Sequence, residues 1–166
     1  MNLRLANASN GLAFPHDGVC FFQSQHAHHM KHGYFADNAM PWDAVVALLK
    51  DGTVTVVDAT RKDKRMTGAL KFGVPTWCLV YNRAVRRLGV RVCEWETPEM
   101  RHVAMNGYHE HLLGPIRRLA RVYARAGARP AVIGKNVILE CHSGFVADDD
   151  PEGLRQLVET ESNFCL

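Results

Sequence analysis

No stretch of this chain approaches the roughly 18 consecutive apolar residues that a membrane-spanning helix requires. The opening Met1-Asn2-Leu3-Arg4-Leu5 lacks the charged and then apolar layout of a signal peptide. Internal repeats and low-complexity segments are also missing, which excludes collagen-like and coiled-coil architectures. An excess of one charge is missing too. The formal net charge is only +3, so nucleic-acid binding would need a local patch. A disulfide framework is not expected, because the five cysteines are odd in number and widely spaced in a chain large enough to fold without staples. What remains, with 47% apolar and 22% charged residues over 166 positions, is one soluble domain in a reducing, cytoplasmic setting. No cofactor and no membrane partner are expected.

Residues 1–17 read as an irregular N-terminal segment ending in the turn-like Pro15-His16-Asp17-Gly18. Val19, Phe22 and Met30 fall near one helical stripe that Gly33 would stop. Pro41 suits a helix start, and Trp42, Val45, Val46, Leu48 and Leu49 continue it. The β-branched run Thr53 to Val57 predicts a strand, followed by a solvated basic loop, Arg61-Lys62-Asp63-Lys64-Arg65. A third helix is predicted after Pro75, with Thr76 as candidate N-cap, running to Leu88-Gly89, then a strand over Val90 to Trp95 and a helix start at Thr97-Pro98-Glu99. Gly114-Pro115 interrupts, and the helical spacing resumes from Ile116 to Gly127. Pro130 to Ile133 and Val137 to Cys141 predict a hairpin about Gly134-Lys135-Asn136. The tail, 147–166, turns acidic. The expected fold class is α+β, with about five helices on a small, mostly antiparallel sheet.

Cys20 is the sharpest candidate for chemistry. A Gly-containing turn precedes it and a predicted helix follows, and a helix start can hold a cysteine as thiolate. His142, at the end of the predicted strand Val137 to Cys141, is the candidate base, and Asp17 or another acid would orient its ring.

The segment Asp17-Gly18-Val19-Cys20-Phe21-Phe22 resembles the cysteine box of ovarian-tumour type cysteine proteases, Asp-Gly-Asn-Cys-Leu-Phe. The resemblance implies a papain-like fold, a late catalytic histidine at a strand end, and cleavage of isopeptide bonds to ubiquitin or similar modifiers. Val19 replaces the usual Asn, and Ser143 follows His142 where an aromatic residue is usual.

Other groupings compete. Cys78, near a helix start, and His102 are faintly similar to the Cys-His order of NlpC/P60 and CHAP amidases, although Cys78 on an apolar face also reads as core. His26, His28, His29 and His32 crowd one segment, and His28 and His32 are spaced to share a metal, with His16, His109, His111 or a cysteine as a distant third ligand. No metal site is assigned, because such a run also reads as a solvated helix face. Arg117, Arg118, Arg121 and Arg125 make a basic stripe, with Arg83, Arg86 and Arg87 on another helix.

The function expected from these residues is a thiol hydrolase acting on a protein or peptide substrate such as a ubiquitin-like modifier, through Cys20, His142 and Asp17. The rival is a non-enzymatic interaction module using the arginine face, with a metal in the histidine cluster as a further option. Nucleic acid is not expected as a partner.

Overall fold

The computed structural model describes residues 2–8, 10–22, 38–61, 65–90, 96–103, 112–126 and 132–144, with the side chains of 102 and 103 left aside. Four strands, β1 (Asn2–Asn7), β2 (Gly18–Cys20), β3 (Thr53–Thr60) and β4 (Val137–Ser143), form a sheet in the order β2-β1-β3-β4. All three pairings are parallel. The architecture is therefore α/β, and the expected mostly antiparallel, papain-like sheet is overturned.

The hairpin expected about Gly134-Lys135-Asn136 is where sequence and structure part. Those residues feed β4 from outside the sheet. The Asn136 side-chain amide donates to the carbonyls of Gly52 (2.8 Å) and Leu48 (3.3 Å), and Val54 N–H donates to the Asn136 carbonyl (3.0 Å). These bonds seat the start of β4 beside the start of β3, so the two strands run in the same direction. Residues 132 and 133 are not strand. The strand expected at 90–95 falls mostly outside the described residues.

β3 behaves as a central strand should. Thr-Val-Thr-Val-Val supplies β-branched residues, and from Val56 onward every position is buried, as expected where both faces are covered. β1 was expected to be irregular, yet it is the other central strand, with Leu3 and Leu5 alternating with Arg4. The helix expected from Val19 begins instead as edge strand β2, and the rest of it, including His26, His28, His29 and His32, lies outside the described residues.

One sheet face is covered by helices α1 (Trp42–Leu49), α2 (Val74–Arg87), α3 (Pro98–Val103) and α4 (Leu113–Ala126). The helical spacing predicted α2 and the body of α4 well. α2 is the centre of the core, buried at Val74 to Asn82 and again at Ala84 and Val85. Each large apolar side chain buried there contributes roughly 1.5–3 kcal/mol relative to exposure. Asn82 clamps the segment before β4: its amide donates to the Ile133 carbonyl (2.7 Å) and accepts from Ile133 N–H (2.9 Å). Tyr81 stacks on Trp77 and meets the Tyr123 ring edge-on, which joins α2 to α4.

The opposite face carries a smaller cluster of Phe14, Val57 and Ala59. The β1–β2 connection lies directly on it. A Cβ at Gly11 would stand 2.2 Å from the Val57 carbonyl oxygen, so only glycine permits this approach.

On this face Arg4 of β1 reaches over β3 to Glu140 of β4 with two hydrogen bonds, 2.6 and 2.7 Å, and Glu140 also bonds His142 (2.8 Å). Burial raises the Glu140 pKa, but the bonds from Arg4 and His142 outweigh it and leave the carboxyl below its usual range. A depressed carboxylate contributes stability above its unfolded pKa and loses it as pH falls through the folded one. Stability should therefore decline as pH drops below about 4.5. Glu140→Gln should flatten that limb and cost about 1 kcal/mol at pH 7, the upper end for a partly exposed pair. Urea melts across pH 3 to 7 measure this, and an unchanged acid limb in the variant would contradict it.

Candidate functional site

The chain passes from β1 to β2 on one side and then to β3 on the other, so the strand order reverses at β1. In open parallel sheets, ligands bind outside the carboxyl ends of the strands at such a reversal. There, one row of side chains on the helix-covered face crosses all four strands. Asn7 is in register with Cys20, and Asp58 with Cys141, while Asn7 and Asp58 touch across the β1–β3 pair.

Asp58 is the hub of this row. It has no solvent exposure, and its carboxylate gathers four donors. The Asn7 side-chain amide donates to it at 2.8 Å and Ala59 N–H at 2.9 Å, and the Thr67 hydroxyl and Asn10 backbone N–H also donate. Burial still pushes the Asp58 pKa up, although every one of these hydrogen bonds pulls it down. Thr67 does double duty, because its Oγ1 accepts Leu70 N–H (3.3 Å) at the π-helical turn Ala69–Gly73 that leads into α2.

Asp58 therefore ties together the β1–β2 loop, through Asn7 and Asn10, and the foot of the loop 61–67, through Thr67. Arg61 and Arg65 of that second loop are exposed, and in sequence four of its first five residues are basic. Basic residues gathered at this edge can attract phosphate-bearing ligands.

The residues singled out from sequence are placed differently. Cys20 ends β2 and is fully buried, with its thiol 3.5 Å from the Ala6 carbonyl. Burial pushes its pKa up to about 12, and the Asp58 charge adds to the rise. His142 lies on β4, three strand spacings away, or about 14 Å. Side chains alternate along a strand, so His142 also points to the opposite face from Cys141 and hence from Cys20. Its ring stacks on Phe14 at 4.1 Å and bonds Glu140. Asp17 accepts a hydrogen bond from Arg4 N–H (2.8 Å). The structure thus brings His142 and Asp17 into one network around Arg4 and leaves Cys20 apart from both.

Cys78 is buried within α2, and burial pushes its thiol up to about 12 as well; the His102 side chain is outside the described set. Among the described residues, no group of three or more His, Cys, Asp and Glu could hold a metal ion.

Sequence reasoning missed Asn7, Asp58 and Thr67. The available signal was an acidic residue directly after the β-branched run Thr53 to Val57, three residues before the first arginine of the basic loop.

The thiol environments give a direct test. Cys20 and Cys78 should resist iodoacetamide at pH 8 in the folded protein and react once urea unfolds it, because a thiol with a pKa near 12 is almost wholly protonated there. Rapid native labelling of Cys20 at neutral pH would contradict this placement.

Comparison with known proteins finds a family other than a protease. The family model described as the Rit1 N-terminal domain matches residues 11–116, a span from the β1–β2 loop through β3, the basic loop and α2 to the first turn of α4. An uncharacterized protein of Aquifex aeolicus (strain VF5) is 31% identical over 134 residues, covering 74% of this chain and 71% of that protein. No solved structure matches. The cysteine box lies inside the matched span but on a strand of a parallel sheet, so the ovarian-tumour protease resemblance and the thiol-hydrolase reading drawn from it are both withdrawn. The chain belongs to the Rit1 N-terminal domain family.

Proposed function

We propose that this chain, acting as one domain over residues 1–166, serves a phosphotransferase-type reaction on tRNA. The family match carries the reading, since the Rit1 family is tRNA 2′-phosphotransferase-related. RNA thereby replaces the peptide partner expected from the cysteine box. The carboxyl edge of the sheet supports it physically. Arg61 and Arg65 are exposed on the basic loop, where their guanidinium groups can draw in phosphates as planar fork donors. Asp58, fully buried, acts in this reading as a positioning residue that holds the loop through Thr67, rather than as a group touching the substrate.

A cytoplasmic setting belongs to the same reading. Among the described residues, no helix is long and apolar enough to cross a membrane.

The test needs no assumption about the donor. Nucleoside mass spectrometry compares tRNA from cells with and without the gene. One nucleoside is expected to differ by a phosphate-bearing group, and Arg61→Gln with Arg65→Gln should lower its modified fraction about tenfold through weaker phosphate contact. Identical spectra from the two strains would overturn the proposal.

A further inference from the structure

The basic loop is not the chain's one concentration of positive charge in sequence. α4 carries Arg117, Arg118, Arg121 and Arg125 and no acidic residue. Its apolar stripe, Ile116, Ala120 and Tyr123, is buried against the core, so the helix is anchored and its arginines are held in fixed rows. Where α4 passes the end of α2, a groove of about 520 Å³ opens, lined by Arg87, Leu88, Arg117, Ala120, Arg121 and Ala124.

Among the described residues, three arginines line this groove and no carboxylate does. Arg87, Arg117 and Arg121 are all exposed, and none forms an ion pair among the described residues. Arg83, one turn back on α2, shows the contrast, since it is neutralised by Glu96. Like charges four apart, such as Arg117 and Arg121, oppose helix formation. An arrangement that gathers them beside a third arginine fits an anionic ligand with several charges. The small apolar floor of Leu88, Ala120 and Ala124 leaves room for a chain of phosphates to approach closely.

We infer that this groove is a second RNA-contacting surface, in which Arg87, Arg117 and Arg121 hold backbone phosphates of a tRNA whose reacting nucleotide lies at the carboxyl edge of the sheet. The inference rests on the tRNA reading above and adds residues to it, and Arg117 and Arg121 lie beyond the span of the family match. α2 begins beside the Asp58–Thr67 contact and ends at Arg87, so about 20 Å of helix separates the groove from the basic loop. A mononucleotide cannot touch both places, whereas a folded RNA can. The groove therefore selects for the size of the substrate, and the carboxyl edge for its reacting group.

The experiment measures binding of fluorescein-labelled tRNA by anisotropy at several salt concentrations. It compares the unaltered protein, the triple variant Arg87→Gln, Arg117→Gln, Arg121→Gln, and the matching triple Arg→Lys variant, with circular dichroism to confirm folding. Losing three phosphate contacts should make the salt slope shallower by about 2 to 3 and weaken binding tenfold or more near 0.1 M salt. The lysine triple should keep most of the slope. An unchanged slope in the glutamine triple overturns the inference, including the case in which the chain's own acidic segment fills the groove. Binding to vesicles of anionic lipid, with none to tRNA, overturns it equally. Failure of the groove and failure of the functional reading stay distinguishable. A normal salt slope in the glutamine triple leaves the nucleoside mass spectra unaffected, while unchanged mass spectra leave arginine-dependent RNA binding intact.

Discussion

Placing a carboxylate where no water reaches it costs several kcal/mol unless hydrogen-bond donors converge on it. Asp58 meets that condition at the end of the central strand β3, with donors from Asn7, Asn10, Ala59 and Thr67. Each donor belongs to a different part of the carboxyl edge: the end of β1, the β1–β2 loop, β3 itself and the foot of the basic loop. The demand of one buried charge thus fixes where two loops begin or end. Through Thr67 it also sets the first turn before α2, because the same hydroxyl caps Leu70. The rest of the fold supplies the rigidity this tie needs. α2 is buried along most of its length and cannot shift without opening the core.

The two sheet faces divide the work. The helix-covered face holds the Cys20, Asn7, Asp58 and Cys141 row in a low-dielectric setting, where both thiols are pushed up by burial and by the Asp58 charge. The other face holds a partly solvated network, in which Arg4 joins Glu140, Asp17 and the Pro15 carbonyl and Glu140 orients His142. That network fastens the edge strand β4 to β1 across β3 and pins the β1–β2 loop. The His142 ring stacks on Phe14 and its nitrogen bonds a carboxylate already engaged by arginine.

Much of the local structure was legible in the sequence, and for clear reasons. The helix over 74–87 and the body of α4 have apolar residues at helical spacing, and Thr53 to Val57 is β-branched throughout. Thr97-Pro98-Glu99 marked a helix start, and Thr97 Oγ1 does accept Met100 N–H. Strand direction was not legible, because Asn136 sets it through bonds to Leu48 and Gly52, more than eighty residues earlier. β1 was obscured by its flanking asparagines and its alanine, which are poor strand formers, although Asn7 is there to meet Asp58. The cysteine box misled for a related reason. A glycine turn before a cysteine specifies a local shape, and whether a helix or a strand follows is decided by pairing with β1. Of the candidate site, the basic loop was visible as a charge run, while the carboxylate that anchors it was hidden in what read as the end of an ordinary strand.

The central claim is that Asp58 and Thr67 are energetically coupled and together hold the carboxyl edge. A double-mutant cycle measures this directly, comparing urea unfolding of Asp58→Ala, Thr67→Val and the double variant with the unaltered protein. The account predicts a coupling free energy of about 1 to 3 kcal/mol, with the double variant less destabilised than the sum of the single changes. Strict additivity of the two substitutions would contradict it.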